Sequence, residues 1–162
     1  YFNTYVLQKY GQDHRIIMYG QGMGANTILN TSGLGKLKNV DLIISEGAYD
    51  TVYNYLAMRC QKEMKVTKFV AGPIIRKVIK DELKSDIKKM NTVDMVKKNV
   101  IPTVYVHSKN DKDVPFQMVF PLYNHDASNK LLFPIKEEHL YDLKDKEDSY
   151  SLSLIEFMNE NI

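Results

Sequence analysis

Four short apolar runs punctuate the chain, and turn-forming or polar residues bound them. Arg15 to Tyr19 stops at Gly20, and Val40 to Ser45 stops near Gly47. Pro102 to His107 stops at a polar turn, and Lys130 to Ile135 is the fourth run. Runs of this length, rich in β-branched and aromatic residues, predict buried strands. Helical patterns follow each of them. Asn26 to Asn30 comes after the first run, and Tyr49, Val52, Tyr53 and Leu56 have helical spacing after the second. Val114 to Tyr123 follows the third, with Phe116, Val119 and Phe120 on one side. Ser149 to Ile162 follows the fourth, with Leu152, Ile155 and Met158 spaced for one face. Strand–helix alternation predicts parallel strands joined by right-handed crossovers. The expected fold class is α/β: a three-layer sandwich around a mostly parallel sheet of about four strands, forming a single domain over residues 1–162.

One stretch breaks the rhythm. Gln61 to Asn99 has no clear strand, and residues 62–98 are rich in Lys, Met and Ile, with Gly72 and Pro73 as a break. It reads as two or three helices inserted between the second and third strands. Such an insertion is either a lid over a site or an ordinary crossover with an extra helix.

Composition narrows the function classes. At 162 residues, 44% apolar and 26% charged, the chain has the size and composition of one globular domain. No run of about 18 apolar residues is present, so no transmembrane helix is expected. No signal peptide is visible after Tyr1, and a cytoplasmic location is the default expectation. The net charge of +2 comes from dispersed lysines, unlike the basic stripe of a nucleic-acid binder. Cys60 is the one cysteine, which excludes an intrachain disulfide and speaks against a Cys-based zinc site. Its surroundings suggest a small buried apolar residue rather than a nucleophile.

The turn after the first strand, Gly20 to Ala25, carries two chemical readings. Gly20-x-Gly22-x-x-Ala25 fits a dinucleotide-binding turn, with Glu46 at the end of the next strand as the ribose acid. A lone match of this kind is weak. The second reading is a nucleophile elbow, G-x-S-x-G, with Gly22 at its centre and Gly20 and Gly24 as the small flanks that a tight strand-to-helix turn requires. The local pattern leaves both readings open.

The segment from Val104 to Phe116 separates them. It resembles the α/β-hydrolase segment H-G-x-x-D-x-x-V-P-[FY], with His107 at the strand end, Asp111 as the acid, and Val114, Pro115 and Phe116 in register. Lys130 to His139 then resembles the last strand and the catalytic His loop. Thr31 to Asp50 and Asn99 to Pro102 resemble neighbouring parts of the bacterial lipase/esterase- and prolyl-peptidase-like branch. The resemblance covers nearly the whole chain. It implies a serine esterase or peptidase relative acting on carboxylic esters or peptides, with the triad in the order elbow, Asp, His. It assigns the orienting acid to Asp111, with Asp113 as a neighbour that could be mistaken for it. The base would be His139, and the backbone N–H of Met23 would supply one oxyanion donor. It also implies that the four strands are the last four of a larger sheet, so that a missing N-terminal half, or another chain, covers the edge of the first strand.

Several positions depart from the pattern. Gly22 leaves the nucleophile position vacant, because no alkoxide or acyl-enzyme forms without a side chain. The second oxyanion donor belongs to a strand outside this sequence. Ser108 replaces the usual glycine after the strand-end His, and Lys136, Glu137 and Glu138 replace the small residues before His139. Two carboxylates beside His139 tend to hold it protonated. Departures at several places favour natural decay over an engineered knock-out. The expectation is a hydrolase-like protein, inactive in this form, that binds a small acyl or peptide-like ligand. The alternatives are a variant of an active hydrolase with Ser at position 22, and a dinucleotide binder. No cofactor is implied, and no His, Asp or Glu grouping has metal-ligand spacing. His14 and His125 read as surface residues, Asp50 as a solvated or capping acid, and Tyr49 and Tyr53 as core or pocket-lining residues.

Overall fold

The apolar runs form the four strands of a single sheet. In the computed structural model, which describes residues 2–11, 13–89, 91–136 and 148–161, they are β1 (Ile16–Gln21), β2 (Val40–Glu46), β3 (Thr103–Ser108) and β4 (Lys130–Ile135). The sheet order is β1-β2-β3-β4, and each adjacent pair is parallel. The helices are α1 (Phe2–Tyr10), α2 (Met23–Ser32), α3 (Val52–Met64), α4 (Lys68–Leu83), α5 (Thr92–Val96), α6 (Val119–His125) and α7 (Asp148–Asn161).

Alternation along the strands sends side chains to two faces. Ile43, Tyr105 and Met18 point to one face, where they pack with Ala25 and Leu29 of α2, Val96 of α5, and Val119 and Leu122 of α6. Leu42, Ile44, Val104, Val106 and Ile135 form the other face, covered by Leu154, Phe157 and Met158 of α7. Helix–sheet–helix is the expected three-layer sandwich. Leu29 and Ile43 are fully buried, and each contributes about 1.5–3 kcal/mol by leaving water. A buried polar knot braces the start of β3. Asn99 donates to the Ile101 carbonyl (3.0 Å) and to Thr103 (2.9 Å), and Tyr105 donates its phenol to Asp126 (2.5 Å).

Several boundaries differ from the sequence reading. β1 starts one residue later and extends to Gln21, and α2 extends beyond Asn26–Asn30 in both directions. Tyr49 precedes α3, because Thr51 caps that helix by accepting from the Asn54 N–H (3.0 Å). The Val114–Tyr123 pattern divides into a loop, a 3-10 turn at Phe116–Met118, and α6. Gly72 and Pro73 do not break the insertion; α4 runs through both. A Cβ on Gly72 would lie 2.4 Å from the Tyr53 phenol oxygen, so a side chain there would displace the Tyr53 ring. α3 and α4 share a small core, where Ala57 of α3 meets Ala71 and Ile75 of α4. Among the described residues, no helix is long and apolar enough to cross a membrane.

Candidate active site

β1 delivers its last residue into a sharp turn. Gly22 has φ 53° and ψ −118°, the angles of the first central residue of a type II′ turn. Its N–H donates to the Glu46 carbonyl (2.8 Å), and its carbonyl accepts from the Asn26 N–H (3.2 Å), which starts α2 at once. The turn is tight enough to dictate its flanks. A Cβ on Gly20 would lie 2.7 Å from the Gly24 carbonyl carbon and 2.8 Å from the Ala25 nitrogen. A Cβ on Gly22 meets nothing within 4 Å. The geometry therefore has room for a side chain at position 22 and none at position 20. Met23 is the first residue of α2, so its N–H has no acceptor within the helix.

Asp111 lies in the turn beyond β3 and is buried. Its Oδ1 accepts from the N–H groups of Asp113 (2.8 Å) and Val114 (2.7 Å), which locks the carboxylate in place. His107 sits beneath this turn, fully buried. Its Nε2–H donates to the Val114 carbonyl (2.8 Å) and lies 3.9 Å from Asp111 Oδ2. Asp113 behaves differently. It faces α3 at the surface and pairs with Arg59 (3.1 Å) and Lys62 (2.9 Å). Ser108, in place of the usual glycine, accepts from the Asn110 N–H (3.0 Å), and Asn110 donates its amide to the Lys136 carbonyl (2.6 Å). The Asp111 turn is thereby tied to the end of β4. Glu137, Glu138 and His139 lie outside the described residues.

Gly22 and Asp111 both lie past the C-terminal ends of parallel strands, on the same edge of the sheet, and His139 follows β4 in sequence. Crevices outside these strand ends are the usual ligand sites of open α/β sheets. A cavity of about 290 Å³ opens on this edge, lined by Asp50, Asn54, Met58, Lys68, Gln117 and Met118, among others. Asp50 precedes the Thr51 cap of α3, and its carboxylate accepts from the Thr51 N–H (2.6 Å) and the Asn54 side-chain amide (2.7 Å). Lys68 of α4 bonds Asn54 (2.8 Å), so α4 reaches the wall of this cavity.

Glu46 is a buried carboxylate beside the Gly22 turn, and it accepts from the Tyr19 phenol and from the Gln21 amide (3.0 Å). Burial, followed by the hydrogen bond to Glu46, pushes the Tyr19 phenol far above its usual range. The sequence reading singled out Glu46 only as a ribose acid, and Tyr19 not at all. Parallel register is what brings Tyr19 and Gln21 of β1 alongside Ile44 and Glu46 of β2. Tyr49 is buried and stacked on Tyr55 (4.6 Å), whereas Tyr53 supports α4 through Lys68 and Arg76. Cys60 is half-buried against the α3–α4 core, and His14 and His125 are exposed. No grouping of His, Cys, Asp and Glu among the described residues could hold a metal ion.

No protein-family profile and no curated protein sequence matches the chain. Solved structures do. An acetyl xylan esterase from Paenibacillus sp. R4 superposes with a TM-score of 0.68 at 15% identity, over 99% of this chain and 50% of that one. An esterase of Pyrococcus furiosus gives 0.69 at 15% identity, over 97% and 58%. An acylaminoacyl peptidase of Pyrococcus horikoshii gives 0.66 at 16%, over 99% and 26%. The chain thus spans about half the length, or less, of these structures. At such identities the likeness is one of fold, and with the four parallel strands and their flanking helices it establishes that the chain has an α/β-hydrolase-like fold.

Proposed function

We propose that this protein is related to serine esterases and peptidases acting on carboxylic esters or peptides, and that Gly22 makes it inactive as a serine hydrolase in the present sequence. The observation that carries the proposal is the backbone of Gly22. It holds a positive φ at a tight strand-to-helix turn, with free space where a side chain would project. A nucleophile elbow requires this geometry. The buried, backbone-locked Asp111 supports the reading as the acid that would orient His139. Without a hydroxyl, an Asp–His pair has no nucleophile to activate, and only binding and backbone-donor effects remain. The Met23 N–H would serve as one oxyanion donor. The old cleft, with the 62–98 insertion as a lid, would bind a small acyl or peptide-like ligand.

A fluorophosphonate probe tests this directly. The protein should remain unlabelled and should not turn over a short-chain p-nitrophenyl ester. Stoichiometric labelling with ester turnover would sink the proposal. Gly22→Ser in a longer polypeptide that includes the upstream sequence should restore labelling. A folded but unreactive variant would count against the elbow assignment. The dinucleotide alternative predicts thermal stabilisation by saturating NAD or FAD. The hydrolase reading predicts none, and Glu46 already has Tyr19 and Gln21 as partners.

A further inference from the structure

The small net charge hides a contrast along the chain. Residues 62–98 hold eleven of its 22 Lys and Arg but only five of its 20 Asp and Glu. That stretch is therefore cationic, with a net charge of +6, and the remaining sequence is acidic, at −4. Most of the excess lies on and beside α4, at Lys65, Lys68, Arg76, Lys77, Lys80 and Lys84. All six side chains are exposed, and among the described residues none of the six pairs with a carboxylate.

α4 is apolar on two sides but packed on one. Helical spacing puts Ala71, Ile75 and Ile79 in one stripe, which meets α3. Val70, Ile74 and Val78 form the adjacent stripe, and it faces solvent at 53%, 59% and 51% exposure. Phe69, in the first turn of the helix, is 91% exposed, and the exposed Pro73 stands one turn beyond it. A side chain as exposed as Phe69 projects clear of its neighbours, so the surface here is convex and offers no cleft to a small ligand. A helix that is apolar all round is normally covered all round. An exposed apolar patch with a polar rim marks an interaction surface.

We propose that the outer face of α4 docks on an anionic phospholipid surface. The helix lies in the plane of the interface, with Phe69, Val70 and Ile74 at the boundary of the acyl chains and the lysines among the headgroups. Apolar side chains beside cations on an exposed helix are the pattern that binds such a surface. Charge complementarity selects the occupant. An anionic surface attracts the six cations and repels the acidic remainder of the sequence, which turns α4 toward it. A second copy of the chain would instead set the same cations against one another. The proposal does not depend on the chemistry of the Gly22 turn.

Vesicle co-sedimentation of the 162-residue chain tests the proposal. The chain should bind vesicles of phosphatidylcholine with about one-third phosphatidylserine and not vesicles of phosphatidylcholine alone. Added salt should weaken the binding. Lys77→Gln and Lys80→Gln should each weaken it about 5-fold, and Phe69→Ser should weaken it about tenfold or more. These side chains are exposed, so circular dichroism should show each variant folded. Lys9→Gln with Lys36→Gln, outside this stretch, should leave binding nearly unchanged. The chain has no tryptophan, so Phe69→Trp supplies a local reporter. Its emission should shift blue with the anionic vesicles, whereas that of Tyr10→Trp on α1 should not. Absence of binding to the anionic vesicles, or binding that Phe69→Ser and Ile74→Ser leave unchanged, would overturn the proposal. A doubled mass by light scattering that Phe69→Ser abolishes would overturn it in favour of a second copy. Binding that vanishes in a longer polypeptide with the natural upstream sequence would overturn it in favour of a cover from within the same protein.

Discussion

Gly20 and Gly22 are two residues apart and are glycine for different reasons. Gly20 is fixed by close approach, because an added Cβ meets backbone at 2.7 Å that cannot move without unwinding α2. Gly20→Ala should cost about 2–3 kcal/mol in urea denaturation. Gly22 is fixed by dihedral alone, so Gly22→Ser should cost less, about 1–2 kcal/mol of backbone strain, with the fold intact. The reverse order would mean that the turn is not built as described. Tyr105 is the other residue with a sharp expectation. It is fully buried and donates to Asp126, which keeps Asn99 and the Ser128 N–H as further partners. Tyr105→Phe should therefore cost about 1–2 kcal/mol. Burial first, and the Asp126 carboxylate second, raise the Tyr105 phenol above its ordinary 10.0. The folded state then holds that proton more tightly than the unfolded chain does. The resulting stability is complete below pH 10.0 and is lost as pH rises above it. The wild type should lose urea stability from that pH upward, and Tyr105→Phe should lose it less steeply.

Among the elements, α4 shows the largest gap between pattern and structure. Pro73 reads as a break, yet the helix passes through it because one face is held against α3 by Ala71 and Ile75. Tertiary packing outweighs the lost hydrogen bond. Pro73 is exposed, so Pro73→Ala should raise the thermal midpoint, by an amount equivalent to about 1 kcal/mol or more. Ile75→Ala should remove about 2–4 kcal/mol by leaving a cavity between α3 and α4. The Asp113 pairs with Arg59 and Lys62 are solvent-exposed, so Asp113→Ala should cost under ~1 kcal/mol. The strands were easier to read. Each apolar run is a strand, because burial on both faces of a parallel sheet leaves a nearly continuous apolar signature. α1 gave no comparable signal. Of its described side chains only Asn3 and Leu7 are buried, and the Asn3 amide is what docks the helix to Lys38.

At the scale of the whole molecule, parallel order β1-β2-β3-β4 carries the Gly22 turn and the Asp111 turn to one edge of the sheet. The same order leaves β1 at a rim that is apolar and free of proline, and β4 at a rim blunted by Pro134. The chain is thus asymmetric: one rim is suited to further pairing and the other is not.

The sequence alone determined the strand positions, the α/β alternation and the glycine-flanked turn, because burial periodicity and turn chemistry are local properties of the chain. Through the resemblance of Val104 to Phe116 to an α/β-hydrolase segment, it also singled out Asp111 as a candidate. Tertiary structure decided what depends on neighbours distant in sequence. It separated Asp111, buried and locked by backbone N–H groups, from Asp113, which pairs with α3 at the surface. It placed Glu46 under Tyr19 and Gln21 through parallel register. It also distinguished the glycine excluded by contact from the glycine required by φ, because only the folded turn shows which atoms an added carbon would meet.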